Sequence, residues 1–263
     1  MTKINIKIPT KKSSAYIKQF FENLNLGKIL QTDSIKKIDI NKKKINNPYG
    51  PNLNDLYYLY KIITENKRTT ILEFGSGWSS LVMANALTNL KKKYQVQIKK
   101  IRRNNPFELF ILENEKKYLN LTKKKLKGIK QIKVNYFFSD VYMHEVHGCF
   151  ATKYSNLPLC NPDFIYLDGP DLFNVKKSKN NFTTAHPDLM PMVSDILSIE
   201  FFLTPGTIIL ADGRGANVEF LKKNFKRRWK YKYLKNSDQH IFLLNDTPIG
   251  ELNKKQIKFY NKK

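Results

Sequence analysis

The chain is poor in cysteine: Cys149 and Cys160 are its two, and neither stands in a Cys-x-x-Cys pair or at a Cys/His metal spacing. That excludes a disulfide-built scaffold or a zinc module and fits free thiols in a reducing compartment. No stretch approaches the ~18 consecutive apolar residues of a membrane span. The opening residues MTKINIKIPTKK are basic but lack the continuous apolar segment of a secretory leader. A cytoplasmic protein with no membrane span is expected. Acidic residues are scarce too, 22 against 47 lysines and arginines, for a formal net charge of +25. Such a surface attracts nucleic-acid phosphates, although lysines spread along the whole chain equally serve to solvate it. With 41% hydrophobic and 13% aromatic residues the chain is not disordered throughout, and 263 residues suffice for one large domain with an appended piece.

The most informative stretch is residues 69–80, TTILEFGSGWSS. Apolar and β-branched residues surround Glu73 and run into Gly75-Ser76-Gly77, after which Trp78 to Leu90 reads as a helix. A buried strand that bends at glycines and restarts as a helix makes a nucleotide-binding turn, because glycine permits the bend and lets backbone N–H groups approach a ligand.

Residues 1–50 carry lysine clusters (Lys36-Lys37, Lys42 to Lys44) around a short helix from Ser13 to Leu26, and read as a basic N-terminal extension or cap. The turn-rich Asn47-Pro-Tyr-Gly-Pro-Asn52 marks a boundary. Tyr49 there either packs locally or folds over a ligand. The main domain spans 51–250, opening with a helix marked by Leu53, Leu56, Tyr57, Tyr60 and Ile63. Residues 91–103, with seven positive charges and no negative one, read as a solvated insertion or, more sharply, a nucleic-acid contact.

Further strands follow at Phe107 to Leu112, ending in Glu113; at Ile132 to Phe138, ending in Ser139-Asp140; at Asp163 to Asp168; and at Thr207 to Leu210, before Ala211-Asp212-Gly213. Strands alternating with helices imply a parallel sheet covered on both faces. Lys230 to Leu234 and His240 to Leu244 form a terminal hairpin that introduces an antiparallel strand. Residues 251–263 read as a basic tail. The expected fold is therefore α/β: a Rossmann-like three-layer sandwich with a mostly parallel seven-stranded sheet and a C-terminal antiparallel hairpin.

In that order EFGSGWSS, Glu113, Ser139-Asp140, YLDGPD, ILADG and the hairpin resemble a class I S-adenosylmethionine-dependent methyltransferase over roughly residues 50 to 245. The resemblance implies that Glu73, Gly75, Ser76 and Gly77 line the methionine moiety, with Ser79 and Ser80 at the helix start. It gives Glu113 the ribose hydroxyls, Asp140 the adenine amino group, and Asp168 a place beside cofactor and substrate. The charge logic agrees, since a sulfonium and an ammonium suit carboxylates, whereas a pyrophosphate wants free N–H groups and basic partners. Ser80 also stands where a dinucleotide fingerprint has Gly or Ala.

Asp168 and Asp212 resemble the metal-binding aspartates of catechol O-methyltransferase-type enzymes, which implies Mg²⁺. Gly213 replaces the third ligand, however, and Asp171 stands where those enzymes carry a catalytic lysine. The alternative is that Asp168 only orients ligands and Asp212 pairs with Arg214. With the lysine missing, His144, His147 and His186, read as lying in loops, become candidate bases, of which His144 and His186 are preferred. The connection 170–191 is long enough for a substrate lid.

No Asn/Asp-Pro-Pro-Tyr/Phe follows the fourth strand, which favours an oxygen acceptor over a nucleobase nitrogen. A small-molecule or saccharide hydroxyl is the expected acceptor, with RNA methylation or non-catalytic nucleotide binding as alternatives. In 222–235, KKNFKRRWKYKYLK, eight basic residues alternate with aromatics. The period-2 spacing of Trp229, Tyr231 and Tyr233 favours a buried strand face over a base-stacking surface.

Overall fold

The computed structural model describes residues 4–31, 50–101 and 104–262. Tyr49, the clusters at 36–37 and 42–44, and Arg102-Arg103 lie outside them. Helix α1 is Ser14–Asn23 and α2 Leu53–Glu65; β1, Thr70–Phe74, leads through the glycine turn to α3, Trp78–Lys99. Then come β2 (Glu108–Glu113), α4 (Lys116–Leu126), β3 (Lys133–Phe138), β4 (Val141–Val146), β5 (Cys149–Tyr154) and β6 (Phe164–Leu167). The chain closes with α5 (Asp195–Ile199), β7 (Ile208–Asp212), α6 (Gly215–Asn224), β8 (Trp229–Leu234), β9 (Gln239–Leu244) and α7 (Gly250–Asn261).

Seven strands form one sheet in the order β3-β2-β1-β6-β7-β9-β8. All run parallel except β9, which is antiparallel to both its neighbours. This is the Rossmann-like, mostly parallel sheet that the sequence implies. Alternation along the strands divides the core in two. Ile71, Ile111, Tyr166 and Leu210 face one side with α2, α3, α4 and α7, while Leu72, Phe74, Leu112 and Ala211 face the other with α5, α6 and the β4–β5 pair. Strands buried on both faces carry apolar residues at nearly every position, as in TILEF, where even Glu73 is inaccessible.

Several expectations are corrected. Residues 91–99 are no insertion but the continuation of α3, whose lysines point outward while Ile98 is buried. Residues 141–154 are a second, two-stranded sheet, not a loop. The connection 170–191 is not a free lid: the Lys176 N–H donates to Val141 O at 2.8 Å and the Met143 N–H to Lys177 O at 3.0 Å, stitching it to β4. The N-terminal segment read as an extension or cap is not among these corrections: its described residues 4–31 pack on the domain through Ile4, Ile17, Phe21 and Ile29.

The basic tail is the helix α7, docked at the far end of the sheet from the glycine turn. Its Tyr260 hydroxyl donates to Asp163 Oδ2 at 2.8 Å, and the same carboxylate accepts the Thr69 and Thr70 N–H groups at 2.8 Å each. The buried Arg68 guanidinium lies 3.7 Å from the centroid of the Tyr260 ring and donates to Gly206 O. Tyr260→Phe keeps the ring and loses one buried hydrogen bond, so thermal denaturation should show a loss of about 1 kcal/mol. An unchanged midpoint would mean that α7 is not anchored through this hydroxyl.

Candidate active site

The chain leaves β1 for β2 on one side and returns to β6 on the other, so a crevice opens at the C-terminal ends of these strands. Gly75 (φ +103°) turns away there, and its N–H donates to Leu112 O at 2.8 Å. Gly169, at the end of β6, lies directly against it: a Cβ on Gly169 would come within 2.5 Å of Gly75 N. Two glycines back to back let two strand tips meet and bring their side chains to one edge.

Glu73 is fully buried beneath the turn. Its Oε1 accepts from the Ser79 hydroxyl at 2.5 Å and its Oε2 from the Ser80 hydroxyl at 2.6 Å, while Ser80 Oγ accepts the Gly77 N–H at 3.1 Å. Burial raises its pKa to about 8 against the opposing pull of the two serines. Glu73, Ser79 and Ser80 thus brace the start of α3 from within, and Ser76 and Gly77 are the turn residues open to solvent. Glu113 closes the other side. Its Oε2 accepts from the Ser76 hydroxyl at 2.6 Å, and its Oε1 accepts the Asn114 and Glu115 N–H groups at 2.8 and 2.9 Å. Burial again raises its pKa, to about 7. Asp140 is exposed at the tip of β3.

Asp168 and Asp212 end neighbouring strands and repel one another electrostatically. Desolvation by the surrounding protein raises the pKa of Asp168 to about 7, with Asp212 adding to the rise and Arg214 opposing it, while the residue keeps solvent access at the crevice edge. Asp212 Oδ2 accepts from the Tyr166 hydroxyl at 2.8 Å. Among the described residues no ion pair joins Arg214 to Asp212, although its charge acts on that carboxylate. Its Nη2 donates to the carbonyl oxygens of Asp168 and Pro170, tying the β7 end to the β6 end. Its Nη1 is buried without a partner, as is the hydroxyl of Tyr154, which neighbours Glu113, Arg214 and Asp168.

Asp55, at the start of α2, belongs to the same edge: burial, then Asp212 and Asp238, raise its pKa to about 8. Carboxylates from β1, β2, β6, β7 and α2 thus form one acidic lane in a chain of net charge +25. Sequence reading missed Asp55, Tyr154 and Tyr166. A helix N-terminus carrying Asn52 and Asp55 was legible, but its place against the β7 end was not.

Other expected groups are not brought in. His144 lies on β4, where its Nε2 meets Ser194 Oγ at 2.6 Å; that hydroxyl donates to Thr152 O. His147 occupies the hairpin turn, and His186 is exposed, its Nδ1 accepting the Asp188 N–H at 3.2 Å. Among the described residues no hydrogen bond or ion pair joins a histidine to Asp168 or Asp212. Asp171 is occupied in a turn, accepting the Phe173 and Asn174 N–H groups at 2.8 and 3.0 Å. Among the described residues no group of three or more His, Cys, Asp or Glu is placed to hold a metal, so the Mg²⁺ expectation gains no support. No described helix is long and apolar enough to cross a membrane.

No family model matches the chain, and no curated protein does. Among solved structures it is similar to a methyltransferase from Geobacter sulfurreducens, with TM-score 0.44 and 10% identity over 90% of this chain and 92% of that one. It is also similar to a Pseudomonas syringae protein described as a methyltransferase, with TM-score 0.35 and 12% identity over 68% and 88% of the two chains. A third is a Listeria monocytogenes protein described as a class I S-adenosylmethionine-dependent methyltransferase, with TM-score 0.35 and 16% identity over 74% and 60%.

Proposed function

We propose that the chain is an S-adenosylmethionine-dependent methyltransferase acting on an oxygen acceptor, a small-molecule or saccharide hydroxyl. The observation that carries this reading is the acidic lane at the sheet's switch point. Two of the turn's N–H groups are already engaged, by Leu112 O at Gly75 and Ser80 Oγ at Gly77, so fewer donors face a pyrophosphate. Carboxylates there suit a ligand carrying a sulfonium and an ammonium. Glu113 already accepts one hydroxyl, from Ser76, so a ribose hydroxyl replacing it meets matching chemistry. The partnerless Arg214 Nη1 and Tyr154 hydroxyl offer donors to an acceptor oxygen.

When bound, the cofactor supplies an electrophilic methyl group. The chain's part is positional. Ser76, Gly77 and Glu113 hold the donor, and Asp168 and Asp212 orient an acceptor hydroxyl, Asp168 being the better placed to receive its proton because it is open to solvent while Asp212 is already engaged by the Tyr166 hydroxyl. Asp140 would take the adenine amino group from its exposed position.

Binding of a cation favours ionised carboxylates, so it lowers their pKa and releases protons. With Glu113 and Asp168 both near 7, affinity for S-adenosylmethionine should rise as pH increases from roughly 6 to 7.5. Titration calorimetry at pH 6.5 in two buffers of different ionisation heat should register proton release. Absence of binding, or proton uptake, would sink the proposal. Labelled methyl transfer into an extract of the native cell would then identify the acceptor. A second reading, a hydroxyl carried on RNA, is favoured by the exposed tyrosines of β8.

A further inference from the structure

The alternation of Trp229, Tyr231 and Tyr233 places these rings on one side of β8, as the spacing requires, but that side is not buried. Tyr231 retains 36% and Tyr233 40% of its accessible surface. β8 is the outermost strand, and the helix that could cover it, α6, ends at Asn224. The expectation of a buried aromatic face is overturned for these two residues, and the other use of the pattern comes forward.

We propose that the β8 edge is a binding platform for single-stranded nucleic acid. The rings are backed from inside: His240 packs on Tyr231 at 6.0 Å and on Tyr233 at 4.8 Å between centroids, and Phe242 lies 5.1 Å from Tyr231. The Tyr231 hydroxyl meets His240 Nδ1 at 2.8 Å and the Tyr233 hydroxyl donates to Asp238 Oδ1 at 2.7 Å. Fixed rings stack on bases at low entropic cost, and stacking tolerates any sequence because every base has a π-face. The ammonium of Lys222 sits 4.4 Å from the centroid of Tyr231, where it can turn to a phosphate as a base arrives.

Charge completes the match. On the ring face Lys222 stands over Tyr231 and pairs with Glu219, which also attracts Lys223, while Arg227 and Arg228 pair with Asp246; Lys230 and Lys232, alternating with the rings, project from the opposite face of the strand, exposed and without an ion pair among the described residues. Two grooves flank the strand. One, of about 200 Å³, runs between Trp229 and Lys222; the other, of about 390 Å³, lies between Lys230, Lys232 and the N-terminal Ile4, Ile6 and Ile8. Lysines at alternate positions of an edge strand oppose pairing with another strand, which argues against a second protein chain as occupant.

The platform also has a direction. β8 runs parallel to β7, so Tyr233 stands at the end of the sheet that carries the acidic lane, and Asp238, its partner, accepts the Gly213 N–H next to Asp212 at 3.2 Å. A strand tracking along β8 therefore ends beside Asp212. As a binding surface the platform is independent of methyl transfer; as a route for an RNA acceptor it rests on that reading.

Fluorescence anisotropy with a labelled single-stranded RNA of about twelve nucleotides tests it. Affinity should fall steeply between roughly 50 and 200 mM salt; Lys222→Gln, which removes the cation over the ring face, should reduce the log–log slope by about 0.7, and Lys230→Gln, on the opposite face, should reduce it less. Tyr231→Ala with Tyr233→Ala should lose affinity on the order of tenfold or more with the slope unchanged, while the paired phenylalanine variant, which keeps both rings, stays near the parent. Binding indifferent to the alanine pair, duplex RNA bound as tightly, or displacement by heparin that ignores the tyrosines would each overturn the platform. Calorimetry of the same variants with S-adenosylmethionine separates the two proposals: a parent that binds RNA but no cofactor leaves this one standing and removes the other.

Discussion

Gly169→Ala should be the most destabilising Gly→Ala change among the described glycines. The added Cβ would lie 2.5 Å from Gly75 N, 2.7 Å from Gly75 Cα and 2.8 Å from Phe74 C, all of them backbone atoms that no rotamer change can withdraw. Relief requires parting the tips of β1 and β6. That breaks the hydrogen bonds that Phe74 O accepts from the Asp168 and Gly169 N–H groups, or shifts the Gly75 N–H from Leu112 O. Overpacking of a rigid site costs about 1–3 kcal/mol and sometimes more. The upper end is expected here, which for a domain of this size is on the order of a 6–12 °C fall in melting temperature. Gly77→Ala is the control. Its φ of 167° is extended backbone, and nothing lies within 4 Å of a Cβ there. It should melt like the parent, so any loss of S-adenosylmethionine binding would report on ligand approach alone. Equal melting temperatures for the two variants would mean that the tips of β1 and β6 do not abut.

The contrast shows how far the glycine turn could be read from sequence. The strand–turn–helix was legible because it is local: Glu73 is braced by residues six and seven positions on, and an apolar run between turn residues is what a doubly covered strand needs. That Gly169, and not Gly77, is sterically irreplaceable depends on contact between positions 75 and 169, which no local pattern carries. The β4–β5 hairpin left a fainter sign. Its turn is His147-Gly148, both at positive φ, and a histidine there is uncommon enough to pass for a loop. In α7 the stripe facing the core begins with the polar Asn253 and Gln256 before Ile257 and Tyr260, so a count of apolar residues reads it as tail. Tyr231 and Tyr233 fail for the opposite reason. Period-2 spacing gives the face of a strand but not whether anything covers it, and the end of α6 at Asn224 decides that.

Glu113→Gln should separate stability from function. Glutamine can keep its oxygen on the Asn114 and Glu115 N–H groups and turn its amide toward Ser76 Oγ, so the buried network stays satisfied. The native carboxyl has its pKa raised by burial to about 7. A raised acid pKa means that the folded state holds the proton more tightly than the unfolded one, so this group's contribution to stability is present at low pH and is lost as pH rises through about 7. The neutral variant escapes that loss. At pH 8 it should melt at or above the parent, and below pH 5 the two should converge. Cofactor binding should move the other way, because a hydrogen bond to a charged acceptor contributes about 1.5–3 kcal/mol. Its loss corresponds to roughly 10- to 150-fold weaker binding of S-adenosylmethionine at pH 8. A variant that is both less stable and weaker in binding would make Glu113 a structural strut like Glu73. One that binds like the parent would remove the ribose from this carboxylate. The expected pairing, unharmed stability with lost affinity, is what an ionised group held at a folding cost for the sake of a cationic ligand should give.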